Sequence, residues 1–113
     1  MQGSDDCRYQ RVSTYALMTA KEISQYLIQN CKTLRFYDAY MFGSTLNGVG
    51  HDIDLLFVGP SGSTLSALKK EIQLVEKELP LDVLYMQPIE AVETNFVKNE
   101  GCVLLSNLAS LNY

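Results

Sequence analysis

Apolar positions recur along this chain with two periods, one suited to helices and one to strands. Ala16, Ala20, Ile23 and Leu27 return at helical spacing and predict a first helix that ends near Asn30. Two starts fit it: Ser13 or Thr14 as the cap, or Thr19 with Glu22 as a capping box one turn later. From Leu34 to Phe42 the chain is dense in apolar and aromatic side chains and stops at Gly43, which predicts a partly buried strand. Ile53, Leu55, Leu56, Phe57 and Val58 form a short apolar run closed by Gly59-Pro60, so a central strand is expected from about Asp52 to Val58.

Beyond it, Pro60 to Thr64 reads as a loop with a natural helix cap. Leu65, Leu68, Ile72, Val75 and Leu79 then mark one face of an amphipathic helix, and Lys69, Lys70, Glu71, Glu76, Lys77 and Glu78 the other. Pro80 stops this helix, and Leu81 to Met86 reads as a third strand with one acid, Asp82, embedded in it. Pro88 suits the first turn of a helix reaching Lys98, with Gly101 as its stop, and Cys102 to Leu105 adds a last strand. The order is helix, strand, strand, helix, strand, helix, strand. That is an α/β (α+β) fold: one small domain over 13–113, a mixed β-sheet with helices packed on it, behind a tail over 1–12 that lacks periodicity.

Composition narrows the possibilities. With 113 residues, 47% of them apolar and 19% charged, the chain holds one core and is neither disordered nor supercharged. A net charge of −4, with nine scattered Lys and Arg, gives no footprint for a nucleic-acid backbone. Cys7, Cys31 and Cys102 form no CxxC pair, so buried thiols are expected rather than a disulfide framework or a zinc site. No apolar run is long enough to cross a bilayer and the first ten residues are polar and acidic, so the expected location is cytoplasmic, away from membranes.

The candidate chemistry lies at the start of the central strand. Asp52 and Asp54, two apart in extended backbone, project to one side with Cα atoms about 6.5 to 7 Å apart. Two carboxylates so placed repel each other and resist desolvation, and a divalent cation removes both difficulties. Oxygen-only ligands favour hard ions such as Mg²⁺, which are commonly shared with substrate phosphates. Upstream, Gly43-Ser44 offers backbone N–H groups and a small hydroxyl to a phosphate oxygen, and Asp82 supplies a lone acid on the next strand. Together these make a set for phosphoryl or nucleotidyl transfer. A P-loop is excluded because no Lys follows Gly50. His51 reads as a loop histidine, and Tyr37, Tyr40 and Tyr85 as core or half-buried side chains rather than base-stacking ones.

The run Tyr40-Met41-Phe42-Gly43-Ser44, followed by His51-Asp52-Ile53-Asp54-Leu55-Leu56 and then Pro80-Leu81-Asp82-Val83-Leu84, resembles the signature of the DNA polymerase β-like nucleotidyltransferase superfamily. It is most similar to the small stand-alone, minimal nucleotidyltransferase domains, and the resemblance covers roughly Tyr40 to Met86. Two departures stand out: the gap from Ser44 to Asp52 is short, and Thr45 occupies a place where many relatives carry a basic residue.

The resemblance implies a palm-like domain in which Asp52 and Asp54 bind two Mg²⁺ ions, with Mn²⁺ as a substitute. Asp82 would help hold the catalytic ion and accept the acceptor's proton, while Gly43 and Ser44 grip the β- and γ-phosphates of a nucleoside triphosphate. The implied reaction moves a nucleoside monophosphate, AMP from ATP first, to a hydroxyl of a protein, RNA or small molecule. It also implies an alternative: a binding protein whose catalysis is incidental, such as the antitoxin partner of a helical HEPN-type toxin. A homodimer burying Val103 to Leu111 is the other expected assembly.

Overall fold

A computed structural model describes residues 18–43, 46 and 52–110. The tail over 1–12, Ser13, Thr14, Ala16, Cys7, Ser44, Thr45 and His51 lie outside the described residues. The elements are α1 (Ala20–Asn30), a 3-10 turn (Lys32–Phe36), β1 (Asp38–Phe42), β2 (Ile53–Val58), α2 (Ser63–Val75), β3 (Leu81–Met86), α3 (Pro88–Thr94), α4 (Phe96–Asn99), β4 (Val103–Leu104) and α5 (Leu105–Ala109).

The strands form one mixed sheet in the order β3-β2-β1-β4. β1 runs antiparallel to both β2 and β4, and β2 runs parallel to β3, with α2 as the crossover. Alternation along the strands sorts their side chains. Ala39, Met41, Ile53, Leu55 and Phe57 join Ile23 and Leu27 of α1, Leu68, Ile72 and Val75 of α2, and Leu105 and Leu108 of α5 in one core, with Leu81, Val83 and Tyr85 packed against it. The opposite face carries Tyr40, Phe42, Asp54, Leu56, Asp82 and Leu84. There α3 and α4 cross the sheet: Phe96 packs edge-on against Phe42, and the Thr94 hydroxyl points at the Met86 sulfur.

Local chemistry explains where the elements begin and end. The two candidate starts of α1 resolve to Thr19, whose hydroxyl accepts from the Glu22 N–H while the Glu22 carboxylate accepts from the Thr19 N–H. The strand expected from Leu34 begins only at Asp38. Lys32 to Phe36 instead winds into a 3-10 turn, because the Glu71 carboxylate on α2 takes both the N–H and the hydroxyl of Thr33 and captures that turn's open N-terminus.

The loop before α2 uses no side-chain cap: Gly62, at φ +82°, occupies the cap position. The single helix expected from Pro88 to Lys98 is two, broken at Asn95 in the left-handed conformation (φ +52°), which the short Asn side chain tolerates. The last strand shrinks to Val103–Leu104, and α5 follows it where no element was expected. Val103 and Leu105 are thereby already packed within their own chain. Among the described residues no helix is long and apolar enough to cross a membrane.

Cys31 is the buried thiol the sequence leads one to expect, 1% exposed in the core. Burial, helped by the Glu71 charge, pushes its pKa up to about 11. Below pH 9 the thiol is protonated in both folded and unfolded chains and stability is indifferent to it. Above pH 9 only the unfolded thiol gives up its proton, so stability falls as pH rises until the folded thiol ionises near 11, by roughly 2 to 3 kcal/mol in all. Urea melts across pH 8 to about 11 should show this alkaline decline in wild type, and Cys31→Ala should remove that share of it.

Candidate active site

Strand register brings the acids together. Asp54 lies level with Asp82 on the parallel neighbour β3 and with Phe42 on the antiparallel neighbour β1. Side chains at level positions of adjacent strands share a face and lie within reach of one another. Both carboxylates therefore stand on the face opposite the α1–α2 core, near the entry of β2 and β3 and the exit of β1, where each feels the other's charge. Asp52 sits in a bend just before β2, which starts one residue later than the sequence indicates, and its side chain is exposed.

Asp54 takes the strain of this arrangement. Partial burial pushes its carboxyl above the ordinary range; the charges of Asp82 and Asp52 and the closeness of the Asp82 carboxylate push it the same way. Among the described residues, no three His, Cys, Asp or Glu side chains are already grouped as a metal site.

Gly43 closes the site from the β1 side. Its φ of +77° disfavours any residue with a Cβ, and a Cβ placed there would lie 2.3 Å from Asp54 Oδ2. The glycine is required for close approach: its backbone rests against the carboxylate. Ser44, its companion in the sequence, falls outside the described residues. The other border is aromatic: Phe42 shares the face with Asp54, and Phe96 meets its ring at 5.2 Å between centroids and 85° between planes. Phe96 reads in the sequence only as one apolar residue of a helix. Its place at the site depends on the break at Asn95 and carries no sequence signal.

The tyrosines keep away from the acids. Tyr37 and Tyr85 belong to the core side, the Tyr37 hydroxyl donating to the Pro60 carbonyl and the Tyr85 ring lying against Phe57 and beneath the Lys69 ammonium. Tyr40 is half-buried, two residues from Phe42 on the same face.

Residues 21–103 match the nucleotidyltransferase domain, a span from the first turn of α1 to β4. No curated protein and no solved structure matches the chain significantly. The matched span covers most of the molecule and all three acids, and the chain belongs to the nucleotidyltransferase domain family.

Proposed function

We propose that this chain is an active enzyme that transfers a nucleoside monophosphate, AMP from ATP in the first instance, to a hydroxyl acceptor. The family supports nucleotidyl transfer in general terms, and its domains generally use divalent metals. The observation that carries the finer reading is the mutual placement of Asp54 and Asp82, level on adjacent strands, with Asp52 adding its charge and Gly43 leaving no room behind the carboxylate.

The donor set suits a hard cation. Three carboxylates offer only oxygen, and burial together with the charges of Asp82 and Asp52 makes ionised Asp54 costly without a cation. In this reading Asp52, Asp54 and Asp82 hold Mg²⁺, for which Mn²⁺ substitutes. The ions neutralise the phosphates and lower the acceptor's pKa when bound.

The chain's own residues do the rest. Gly43 and Ser44 present backbone N–H groups to the terminal phosphates, and Phe42 with Phe96 keeps water from one side of Asp54. Asp82 takes the acceptor's proton as its oxygen forms the bond to the α-phosphorus. The bond from that phosphorus to the bridging oxygen breaks, and pyrophosphate leaves with the electron pair. The test is transfer of label from α-labelled ATP, with Mg²⁺ and a cell extract, by wild type and by Asp54→Ala; label transfer indifferent to the substitution overturns the proposal.

One observation favours the alternative in which binding is the function. Ile89 and Val92, one turn apart on α3, are 60% and 75% exposed, and an apolar pair of that kind is suited to a protein partner. In a pull-down, a partner retained and neutralised equally by Asp52→Ala plus Asp54→Ala assigns the role to binding; a partner modified only by wild type assigns it to catalysis.

A further inference from the structure

The strand that carries Asp82 is the edge of the sheet among the described residues, which place no strand beyond it. Its hydrogen-bonding pattern is set by two bonds at its ends, Ile53 N–H to the Pro80 carbonyl at 2.9 Å and Gly59 N–H to the Met86 carbonyl at 3.0 Å. In a parallel pair, alternate residues of a strand direct both N–H and C=O to the same neighbour. Asp82, Leu84 and Met86 therefore bond to β2, and Leu81, Val83 and Tyr85 turn their backbone groups outward. Among the described residues no backbone group outside the sheet bonds to these three.

Edge strands are usually blunted by a Lys, a Pro or a bulge. β3 has none of these: its register with β2 runs unbroken from Leu81 to Met86, and its sequence LDVLYM contains neither residue. On its acid-bearing face it shows Asp82 and, two residues on, Leu84, which is 40% exposed.

We propose that the acceptor is an extended polypeptide segment that adds to β3 as a fifth strand. The inference rests on the nucleotidyl transfer proposed above and names its acceptor class. Outward N–H and C=O groups recurring every second residue match the backbone of another strand, and a nucleic acid or a metabolite offers no such series. An added strand lies about 4.8 Å from β3, so its residue level with Asp82 has its side chain beside that carboxylate. A hydroxyl there is placed for proton loss to Asp82 and bond formation to the α-phosphorus. The residue two positions away on the same face covers Leu84. The acceptor motif is thus a hydroxyl residue and an apolar residue separated by one position. A second copy of this chain fits the edge less well, because pairing β3 with itself adds a second acid cluster to a molecule of net charge −4.

Short synthetic peptides carrying Thr-x-Leu or Leu-x-Thr are the probes, in two measurements. The first needs no nucleotide: amide hydrogen exchange of the wild type with and without peptide. The Val83 and Tyr85 amides should exchange freely alone and slow about tenfold or more with peptide, while those of Asp82, Leu84 and Met86 are slow in both. The second compares wild type with Val83→Pro, which removes an outward N–H and leaves the bonds to β2 in place. The KM for peptide should rise roughly tenfold or more, with the Leu84 and Met86 amides as slow to exchange as in wild type.

Label transfer to peptide with the Val83 and Tyr85 amides unprotected overturns the edge as the docking site, and so does protection of both amides by self-association without peptide. Protection by peptide with no nucleotidyl transfer to any acceptor leaves the docking edge standing and sinks the catalytic reading instead. The exchange measurement is made on wild type, so poor folding of Val83→Pro does not affect it.

Discussion

Asp54→Asn should lower nucleotidyl transfer by about a hundred- to a thousandfold and leave the protein folded and slightly more stable. The loss follows from the position of Asp54, which lies between Asp52 and Asp82 in charge and against Gly43 in space. Removing one group that stabilises developing charge at a reacting centre costs that much in comparable cases. The gain has the same cause. Partial burial and two like charges already disfavour ionised Asp54, and a neutral amide relieves both. Opposed charges of one sign on adjacent strands are worth roughly 0.2 to 1 kcal/mol. Thermal melts in a chelator, beside turnover at saturating ATP, separate the two effects. A variant that loses activity by unfolding would melt lower, and the expected result is a melting point equal to or above wild type. Such opposite signs mark a group kept for chemistry at some expense in stability.

Gly43→Ala should cost both stability and activity, while Gly101→Ala costs stability alone. Both glycines have positive φ, +77° and +63°, where a side chain is disfavoured by about 1 to 2 kcal/mol. A Cβ at Gly101 meets nothing within 4 Å, whereas one at Gly43 lies 2.3 Å from Asp54 Oδ2. Only the first substitution therefore displaces a carboxylate. Misplacing a reacting group by about 1 Å costs on the order of a hundredfold, so kcat for Gly43→Ala should fall by that factor and kcat for Gly101→Ala should match wild type. Each variant should melt several degrees lower, since 1 kcal/mol shifts a domain of this size by about 4 to 8 °C. Equal kcat losses in the two would show that backbone strain, and not the contact with Asp54, governs the site.

Phe57 and Leu55 identify β2 as the centre of the sheet from their own apolar run, and Thr19 with Glu22 marks the start of α1. These are local signals: each depends on residues within a turn or a strand of one another, and the chain carries them wherever it goes. Pro80 and Pro88 bracket β3 for the same reason, since a residue without an N–H ends one element and suits the first turn of another. The strand positions of Asp54 and Asp82 were legible as well, because each stands among the apolar residues of its strand, whereas Asp52, expected to begin β2, lies in the bend before it.

The exceptions are all places where a distant residue decides. Leu34 to Phe36 was expected to open the first strand, yet a carboxylate from α2 holds this stretch in a 3-10 turn. Asn95 breaks a helix whose residues otherwise continue it, and so brings Phe96 to the border of the acids. α5 has too few residues to be stable in isolation and forms because Leu105 and Leu108 find the core beside α1.

The sequence by itself determined which residues could carry the chemistry and which elements would hold them, because side-chain type and period are properties of the chain. Only the tertiary structure decided that Asp54 stands level with Asp82, that Gly43 rests against it and that β3 is the edge strand among the described residues. Those facts depend on strand order and register, which arise from how separate segments bury their apolar faces together, and no local pattern records that outcome.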